Sequence, residues 1–374
     1  MGNRIEPIFM PRWGLSMKNG VVLTWLVDEG EWIDSGQEIA EIETEKTVTT
    51  LEARASGILR KKIVAVGEQA AVRSLIGVVS ASEVTEPELM SFIAKYSGKS
   101  RTYPTESVPD FPVPDKIKIC GKDVNYLKLG ESGERRILLL HGFGGDLNSW
   151  QFNHNELSSS ATVYALDLPG HGGSNKDVGI GDYDALSTVI YNFVETVGLG
   201  EVHLVGHSLG GAVALFLSNR YPDLVASLTL ISSVGLGTKL NEEYISNFIR
   251  ARTSRELRTV LEQIFYVRKK LSQSMIEQVL KYKRIDSVNS NLEIIAKECL
   301  DSEARFLKQL SGQKEMRWPC QIIWGAEDQI LQAPRSEWIP NEIKFNAIQG
   351  AGHMVHIEKA KEVNKLIVEF ISKR

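Results

Sequence analysis

V-H-L-V-G-H-S-L-G-G-A-V-A-L-F-L-S-N-R-Y, residues 202–221, reads as an apolar strand that runs through a glycine-flanked serine directly into a helix. Strand, G-x-S-x-G, helix is the pattern in which Ser208 sits on a sharp, strained turn with its hydroxyl above a sheet, and glycines at 206 and 210 leave room for the turn. On either side of it short apolar runs recur at Ile137–Leu140, Val163–Leu168, Leu228–Ser232, Gln321–Trp324 and Lys344–Ile348, separated by helical stretches. Strands alternating with helices predict a mostly parallel sheet covered on both faces, an α/β fold. Between Leu240 and Gln313 no strand-like run occurs while helical spacing does (Tyr244, Phe248; Leu257, Leu261; Val279, Leu280). That stretch is expected to be a helical lid, at about 236–313.

A serine hydroxyl is a weak nucleophile at neutral pH. It needs an imidazole to take its proton, and the imidazole needs a carboxylate to fix its tautomer. Two segments supply these in chain order after strand ends: I-I-W-G-A-E-D-Q-I (322–330), with Asp328 as the acid and Glu327 as its rival, and I-Q-G-A-G-H-M-V-H (348–356), with His353 as the base and His356 as its rival. Two amides must face the developing oxyanion. Leu209, after the nucleophile, supplies one, and Phe143 in H-G-F-G-G (141–145) supplies the other. From about residue 117 to 370 the chain resembles the α/β-hydrolase family, whose H-G, D-x-P-G-H-G-x-S (167–174), G-x-S-x-G, G-x-x-D and G-H elements stand in order. The resemblance implies an eight-stranded, mostly parallel sheet with a lid after the sixth strand, and leaves Asp167 and His171 outside the catalytic set.

The amino-terminal part has a different texture. From Ile5 to Ser80 it is rich in Val, Ile, Thr and Trp, broken by single glycines, with no helix-length apolar period, as expected of short strands and tight turns. G-E-W-I-D-S-G-Q-E-I (30–39) is echoed by I-V-A-V-G-E-Q-A-A-V (63–72), so two similar halves of a small β-sandwich are expected. A short amphipathic turn set at Leu89–Tyr96 then gives way to residues 98–114, rich in Ser, Thr and Pro, a semi-extended linker able to reach on the order of 50 Å. The division expected is therefore 1–82, a connecting 83–114, and 115–374.

Within the first part, E-I-E-T-E-K-T-V-T-T (41–50) places Lys46 at the tip of an expected hairpin. Together with M-P-R-W-G-L-S-M-K-N-G (10–20) and the glycine turns, residues 4–80 resemble the lipoyl domain of 2-oxo-acid dehydrogenase complexes. The resemblance implies lipoate in amide linkage on Lys46. Biotinyl domains usually flank their lysine with methionines, and Glu45 and Thr47 stand there instead, which favours lipoate over biotin.

A lipoyl domain joined to an α/β-hydrolase fold resembles the acetyltransferase components of acetoin dehydrogenase complexes. This implies transfer of an acetyl group from dihydrolipoyl-lysine to coenzyme A through an acyl-serine, with a thiamine-diphosphate-dependent acetoin dehydrogenase component and dihydrolipoamide dehydrogenase as partners. The alternative is a serine hydrolase of esters or carbon–carbon bonds, tethered by the same module. No H-x-x-x-D-G motif of the ordinary acyltransferase domain occurs.

Composition narrows the rest. Forty-three Lys plus Arg against 47 Asp plus Glu give a net charge of -4, with no global basic excess to suggest nucleic acid or an anionic membrane. No apolar stretch approaches a membrane span, and Met1 to Arg12 contains no signal-like apolar run. The three cysteines, Cys120, Cys299 and Cys320, have no metal-ligand spacing and are expected to be free, buried thiols of a cytoplasmic protein. Basic residues outnumber acidic ones from Lys239 to Arg284, either a solvated helical surface or a face for coenzyme A phosphates.

Overall fold

A computed structural model describes residues 5–11, 19–43, 48–53, 55–82, 84–95, 114–130, 135–236, 239–300, 317–336 and 339–373. The chain divides into two compact units, Met1–Phe111 and Pro112–Arg374.

The first unit is two four-stranded antiparallel sheets. Its strands are β1 (Ile5–Phe9), β2 (Asn19–Trp25), β3 (Trp32–Ile33), β4 (Glu38–Glu43), β5 (Val48–Glu52), β6 (Gly57–Lys62), β7 (Gln69–Ala71) and β8 (Leu75–Ser80). They are ordered β1-β8-β6-β3 and β5-β4-β2-β7. Val22, Ile33, Ile39, Ile42, Leu59 and Ile76 fill the space between the sheets, each with no exposed surface. The echo between the two halves is a repeated turn. At Asp34–Gln37 the Gln37 amide donates to the Asp34 carbonyl (3.0 Å) while the Gln37 side chain accepts from the Asp34 amide (2.9 Å). Glu68 and Ala65 repeat both bonds, at 3.1 and 2.9 Å. Gly36 and Gly67, at φ 87° and 82°, hold the third position of each turn in a region that disfavours a Cβ. The helix Glu86–Lys95 buries Leu89 against Leu75, Val78 and Val84, and Arg60 donates to the Val84 carbonyl at 2.9 Å.

The second unit is built on one eight-stranded sheet. Its strands are β9 (Asp115–Ile119), β10 (Lys122–Leu129), β11 (Arg136–Leu140), β12 (Thr162–Leu166), β13 (Val202–His207), β14 (Val225–Ile231), β15 (Cys320–Gly325) and β16 (Lys344–Ile348). The order is β16-β15-β14-β13-β11-β12-β10-β9, parallel from β12 through β16 and antiparallel at β10 and β9. Side chains alternate faces along a strand, and both faces are dry in the central strands β11 to β15. Leu138, Leu140, Leu204 and Ile322 join the core on one side, whereas Ile137, Leu139, Val205 and Ile323 join the core on the other. Burying each such side chain contributes about 1.5–3 kcal/mol. Helices Tyr183–Val197 and Leu209–Arg220 cover the first face, and Ala360–Ile371 the second.

After the sixth strand of this sheet, β14, come the helices Glu242–Arg250, Ser254–Leu261, Gln273–Lys283 and Val288–Ile295, within the stretch expected to be a helical lid, whose residues 237–238 and 301–313 lie outside the described residues. Lys283 departs from the reading of this stretch as a basic surface. Its ammonium is buried and donates to the carbonyls of Phe248 (2.7 Å) and Ile249 (3.2 Å) and to Asn289 (2.9 Å), and desolvation pulls its pKa down to about 8. Cys299 and Cys320 are buried as expected. Cys120 is exposed instead, because it occupies the tight β9–β10 turn at φ 49°, where its side chain has no core to enter. Among the described residues, no helix is long and apolar enough to cross a membrane.

Candidate active site

β13 delivers the serine. Ser208 follows its last residue and precedes the helix Leu209–Arg220, with φ 52° and ψ -115°. A non-glycine residue in such a conformation costs of order 1–3 kcal/mol and persists only where its surroundings over-determine it. Here the Ser208 amide donates to Ile231 (3.0 Å), and its carbonyl accepts from Gly211 (3.1 Å), Val234 (3.2 Å) and Ala212 (3.3 Å). The flanking glycines are demanded by space. A Cβ on Gly206 would lie 2.4 Å from the Gly210 carbonyl oxygen, and one on Gly210 would lie 2.3 Å from that of Leu140. The turn therefore packs backbone on backbone, and nothing larger than glycine fits at either position.

The expected acid and base come from the loops after β15 and β16. His353 Nδ1 and Asp328 Oδ2 are 2.8 Å apart, with side chains 6% and 1% exposed. The other oxygen of Asp328 accepts from the amides of Ile330 (2.8 Å) and Leu331 (3.0 Å). One carboxylate thus caps a turn and holds an imidazole, so its aim is set by its own backbone. Glu327, the rival acid, instead accepts from the Ala351 amide at 3.0 Å and braces the histidine loop. His356, the rival base, is wholly buried between Trp150 and His207, at ring-centroid distances of 4.6 and 4.4 Å, and burial pulls it down to about 3.

His207 donates Nε2–H to the His353 carbonyl (2.9 Å), and burial, followed by the neighbouring histidines, holds it well below the ordinary histidine range. His141 accepts from the Leu168 amide through Nε2 (3.0 Å), so its Nδ1 carries the proton and donates to Gly142 (2.8 Å); burial holds it at about 4. Both are neutral structural groups. Asp167 is structural too, accepting from Leu147 (2.7 Å), Gly173 (2.6 Å) and Asn125 (2.7 Å).

Ser208 and His353 open together on a cavity of about 140 Å³. Gly142–Gly145 and Asp146 line one side, and the lid supplies Tyr244, Phe248, Phe265, Leu271, Met275 and Val279 on the other. Phe143 lines the cavity, and neither its amide nor that of Leu209 donates to another described residue. Among the basic lid residues, Arg268, Lys269 and Lys270 are exposed on the segment between Phe265 and Leu271, both at the cavity wall. Arg252 and Arg258 are bonded within the lid, to Ile249 and to Gln273. Lys46 lies outside the described residues. The strands on either side of it pair directly, Glu43 opposite Val48.

Comparison with known proteins follows the same division. The family model described as alpha/beta hydrolase fold matches residues 135–360, and the one described as biotin-requiring enzyme matches residues 6–79. The second unit is thus an α/β-hydrolase-fold domain, and the first a biotin/lipoyl-type domain. Among solved structures, a meta-cleavage product hydrolase (CumD) superposes with a TM-score of 0.60 at 21% identity, over 70% of this chain and 99% of that one. An epoxide hydrolase (CorEH) gives 0.58 at 20%, over 70% and 99%. At this identity the likeness is one of fold. Monoacylglycerol lipase ABHD6 of Homo sapiens is 27% identical over 66% of this chain and 78% of its own length.

Two curated relatives run the whole length and join both domains. One from Pseudomonas putida is 35% identical over 99% of this chain and 100% of its own, and one from Cupriavidus necator is 35% identical over 97% and 96%. Each is named dihydrolipoyllysine-residue acetyltransferase component of acetoin cleaving system, and this chain belongs to that family of enzymes.

Proposed function

We propose that this chain moves an acetyl group from dihydrolipoyl-Lys46 to coenzyme A, with Ser208 as nucleophile, His353 as base, Asp328 as its orienting acid, and the amides of Phe143 and Leu209 as the oxyanion hole. The observation that carries the reading is the His353–Asp328 pair, whose histidine shares a cavity with Ser208, within a chain that also bears a lipoyl-type domain. A lysine between two paired strand ends fits attachment of lipoate, whose dithiolane, once reduced and acylated, supplies a thioester donor.

Asp328 holds the Nδ1–H tautomer of His353, which leaves Nε2 free to accept the Ser208 proton. Ser208 Oγ attacks the thioester carbonyl, and the two amides bind the oxyanion. Collapse forms acetyl-Ser208 as the donor thiol departs with the proton from His353. His353 next takes the proton of the coenzyme A thiol, whose sulfur attacks the acyl carbon. Ser208 leaves and is reprotonated by His353, giving acetyl-coenzyme A. The exposed Arg268, Lys269 and Lys270 beside the cavity suit the phosphates of this acceptor.

In this reading residues 1–82 are the carrier, 83–114 the tether and 115–374 the transferase with its lid at about 236–313. The protein works in the cytoplasm within a multienzyme complex, receiving acyl groups from a thiamine-diphosphate-dependent component and being reoxidised by dihydrolipoamide dehydrogenase. A hydrolase is the second reading, favoured by the 27% identity of the second domain to a monoacylglycerol lipase. Incubating the protein with acetyl-dihydrolipoamide, with and without coenzyme A, separates the two. The transferase yields acetyl-coenzyme A in proportion to donor consumed, and the hydrolase yields acetate at the same rate in either condition.

A further inference from the structure

The corner that carries His353 is bonded at every residue, and one of the bonding groups has no part in the chemistry above. Glu358 is 9% exposed, although it carries a carboxylate. One oxygen accepts from the amide of Gly352, the residue before His353, at 2.7 Å. The other accepts from the amide of Val267, in the lid, at 2.8 Å.

The lid and the histidine loop also meet as backbone. Met354, after His353, donates to the Ile264 carbonyl at 3.1 Å, and a Cβ on Gly352 would lie 2.8 Å from the Tyr266 nitrogen and 3.0 Å from the Ile264 oxygen. Ile264 and Phe265 line the cavity, and Arg268–Lys270 follow one residue after Val267. The segment that closes the cavity is therefore fastened to the residues on both sides of His353, and Glu358 is the only side chain of the described residues that accepts from both partners.

We propose that Glu358 is a positioning residue that couples the seat of the lid segment Ile264–Val267 to the aim of His353, and so influences whether acyl-Ser208 is taken by the thiol acceptor or by water. This rests on the acyl-serine reading. A carboxylate accepts two backbone N–H bonds, whereas a glutamine offers one oxygen and turns its NH2 toward an N–H donor. Glu358→Gln therefore keeps the volume and breaks one bond. Loosening at the lid admits water to the cavity, and loosening at Gly352 misaligns the base; a small misplacement of a catalytic group is worth about tenfold or more in rate.

The experiment uses the full lipoylated chain, with rates normalised to serine titrated by a burst reagent so that misfolded protein does not count. For Glu358→Gln we expect kcat for acetyl transfer to fall about tenfold with the Michaelis constants within about twofold, and the acetate share of product to rise about threefold. Val267→Pro removes only the lid-side donor at a backbone φ of -90°, not far from that of proline, and should raise the acetate share alike with a smaller loss of kcat. The double variant should be no worse than Glu358→Gln alone, because both remove one link. Wild-type kcat and product ratio per titrated serine in Glu358→Gln would overturn the proposal, as would an unchanged ratio in Val267→Pro. If the unaltered protein makes no acetyl-coenzyme A, the acyl-transfer reading fails by itself; slower p-nitrophenyl acetate turnover in both variants then still supports the coupling, and unchanged turnover refutes it.

Discussion

The two domains solve opposite problems with polar groups. In the first, Ser74 and Ser80 are the buried polar side chains among the described residues, and the carboxylates of β4 and its turns face outward. In the second, serines, histidines, asparagines and carboxylates are buried from one end of the sheet to the other, and all seven histidines of the chain belong to it. A carrier asks nothing of its core beyond stability, because its working group must travel. An acyl-transfer site needs a strained serine, a dry imidazole and donors already in place, so it puts polar chemistry into the interior and satisfies it bond by bond.

The sharpest way to test this contrast removes the working group of each domain. On the proposed mechanism Ser208→Ala should lower acyl turnover by at least about a thousandfold, since only binding and oxyanion stabilisation survive loss of a triad nucleophile. Its melting temperature should stay level or rise, because alanine loses a hydroxyl from a strained turn. Steady-state assay with acetyl-dihydrolipoamide and a thermal melt check both, and a near wild-type rate would make Ser208 structural.

Lys46→Arg removes the amine proposed to accept lipoate and keeps the charge. Mass spectrometry should find the variant unlipoylated in cells that lipoylate the parent. Turnover fed by the partner dehydrogenase should vanish, while turnover of free acetyl-dihydrolipoamide stays unchanged, because tethering alters effective concentration and leaves the triad untouched. A fall in the free-donor rate would give the first domain a second role beside the cavity.

Acid should also distinguish the domains. Burial holds His141 and His154 at about 4 and His171 and His356 at about 3, against 6.5 when exposed. These folded pKa values are depressed, so the folded state stays neutral where the unfolded chain binds protons. Their contribution to stability is complete above about pH 6.5 and is lost as pH falls from there towards 4 and 3. Each accounts for on the order of 1–2 kcal/mol at pH 5. The first domain has no histidine, and burial raises the pKa of Glu6, which works in the opposite direction. Hydrogen exchange across pH 7 to 4 should therefore show the second domain opening first; simultaneous opening would mean that the histidines relax without cost.

What could be read from the residues follows the same contrast. β11 through β15 appear as apolar runs because both faces of the parallel sheet are dry there, and Ser208, Asp328 and His353 follow β13, β15 and the half-exposed edge strand β16. β9 and β10 escape that reading because Lys116, Lys118, Lys122 and Asp123 interrupt them on a solvated sheet edge. Lys283 and Glu358 could not be recognised from sequence, since a charged residue in a helical stretch reads as surface. Their roles depend on backbone amides and carbonyls brought from other segments. For Glu358 the available signal was its place five residues after His353, at the end of the short helix Val355–Glu358.

The smallest expected effect concerns the acceptor, the one reactant that belongs to neither domain. Water is far more concentrated than any thiol, so transfer requires a bound, oriented acceptor and a cavity closed to solvent. Arg268, Lys269 and Lys270 are placed for the first requirement, exposed between two cavity-wall residues, and Arg268 has a distant ion pair with Glu262, at 3.9 Å. Their charges are solvated, so each adds little, of order 1 kcal/mol or less. Neutralising all three to glutamine should raise the Michaelis constant for coenzyme A about three- to tenfold, leave that for acetyl-dihydrolipoamide within about twofold, and leave kcat unchanged. Because the attraction is screened, the ratio of variant to parent constants should approach one as salt rises from about 0.05 M to 0.5 M, where the Debye length shrinks from about 14 to 4 Å. An unchanged constant at low salt would remove the phosphates from this segment, and a change indifferent to salt would assign the three side chains a packing role in the lid.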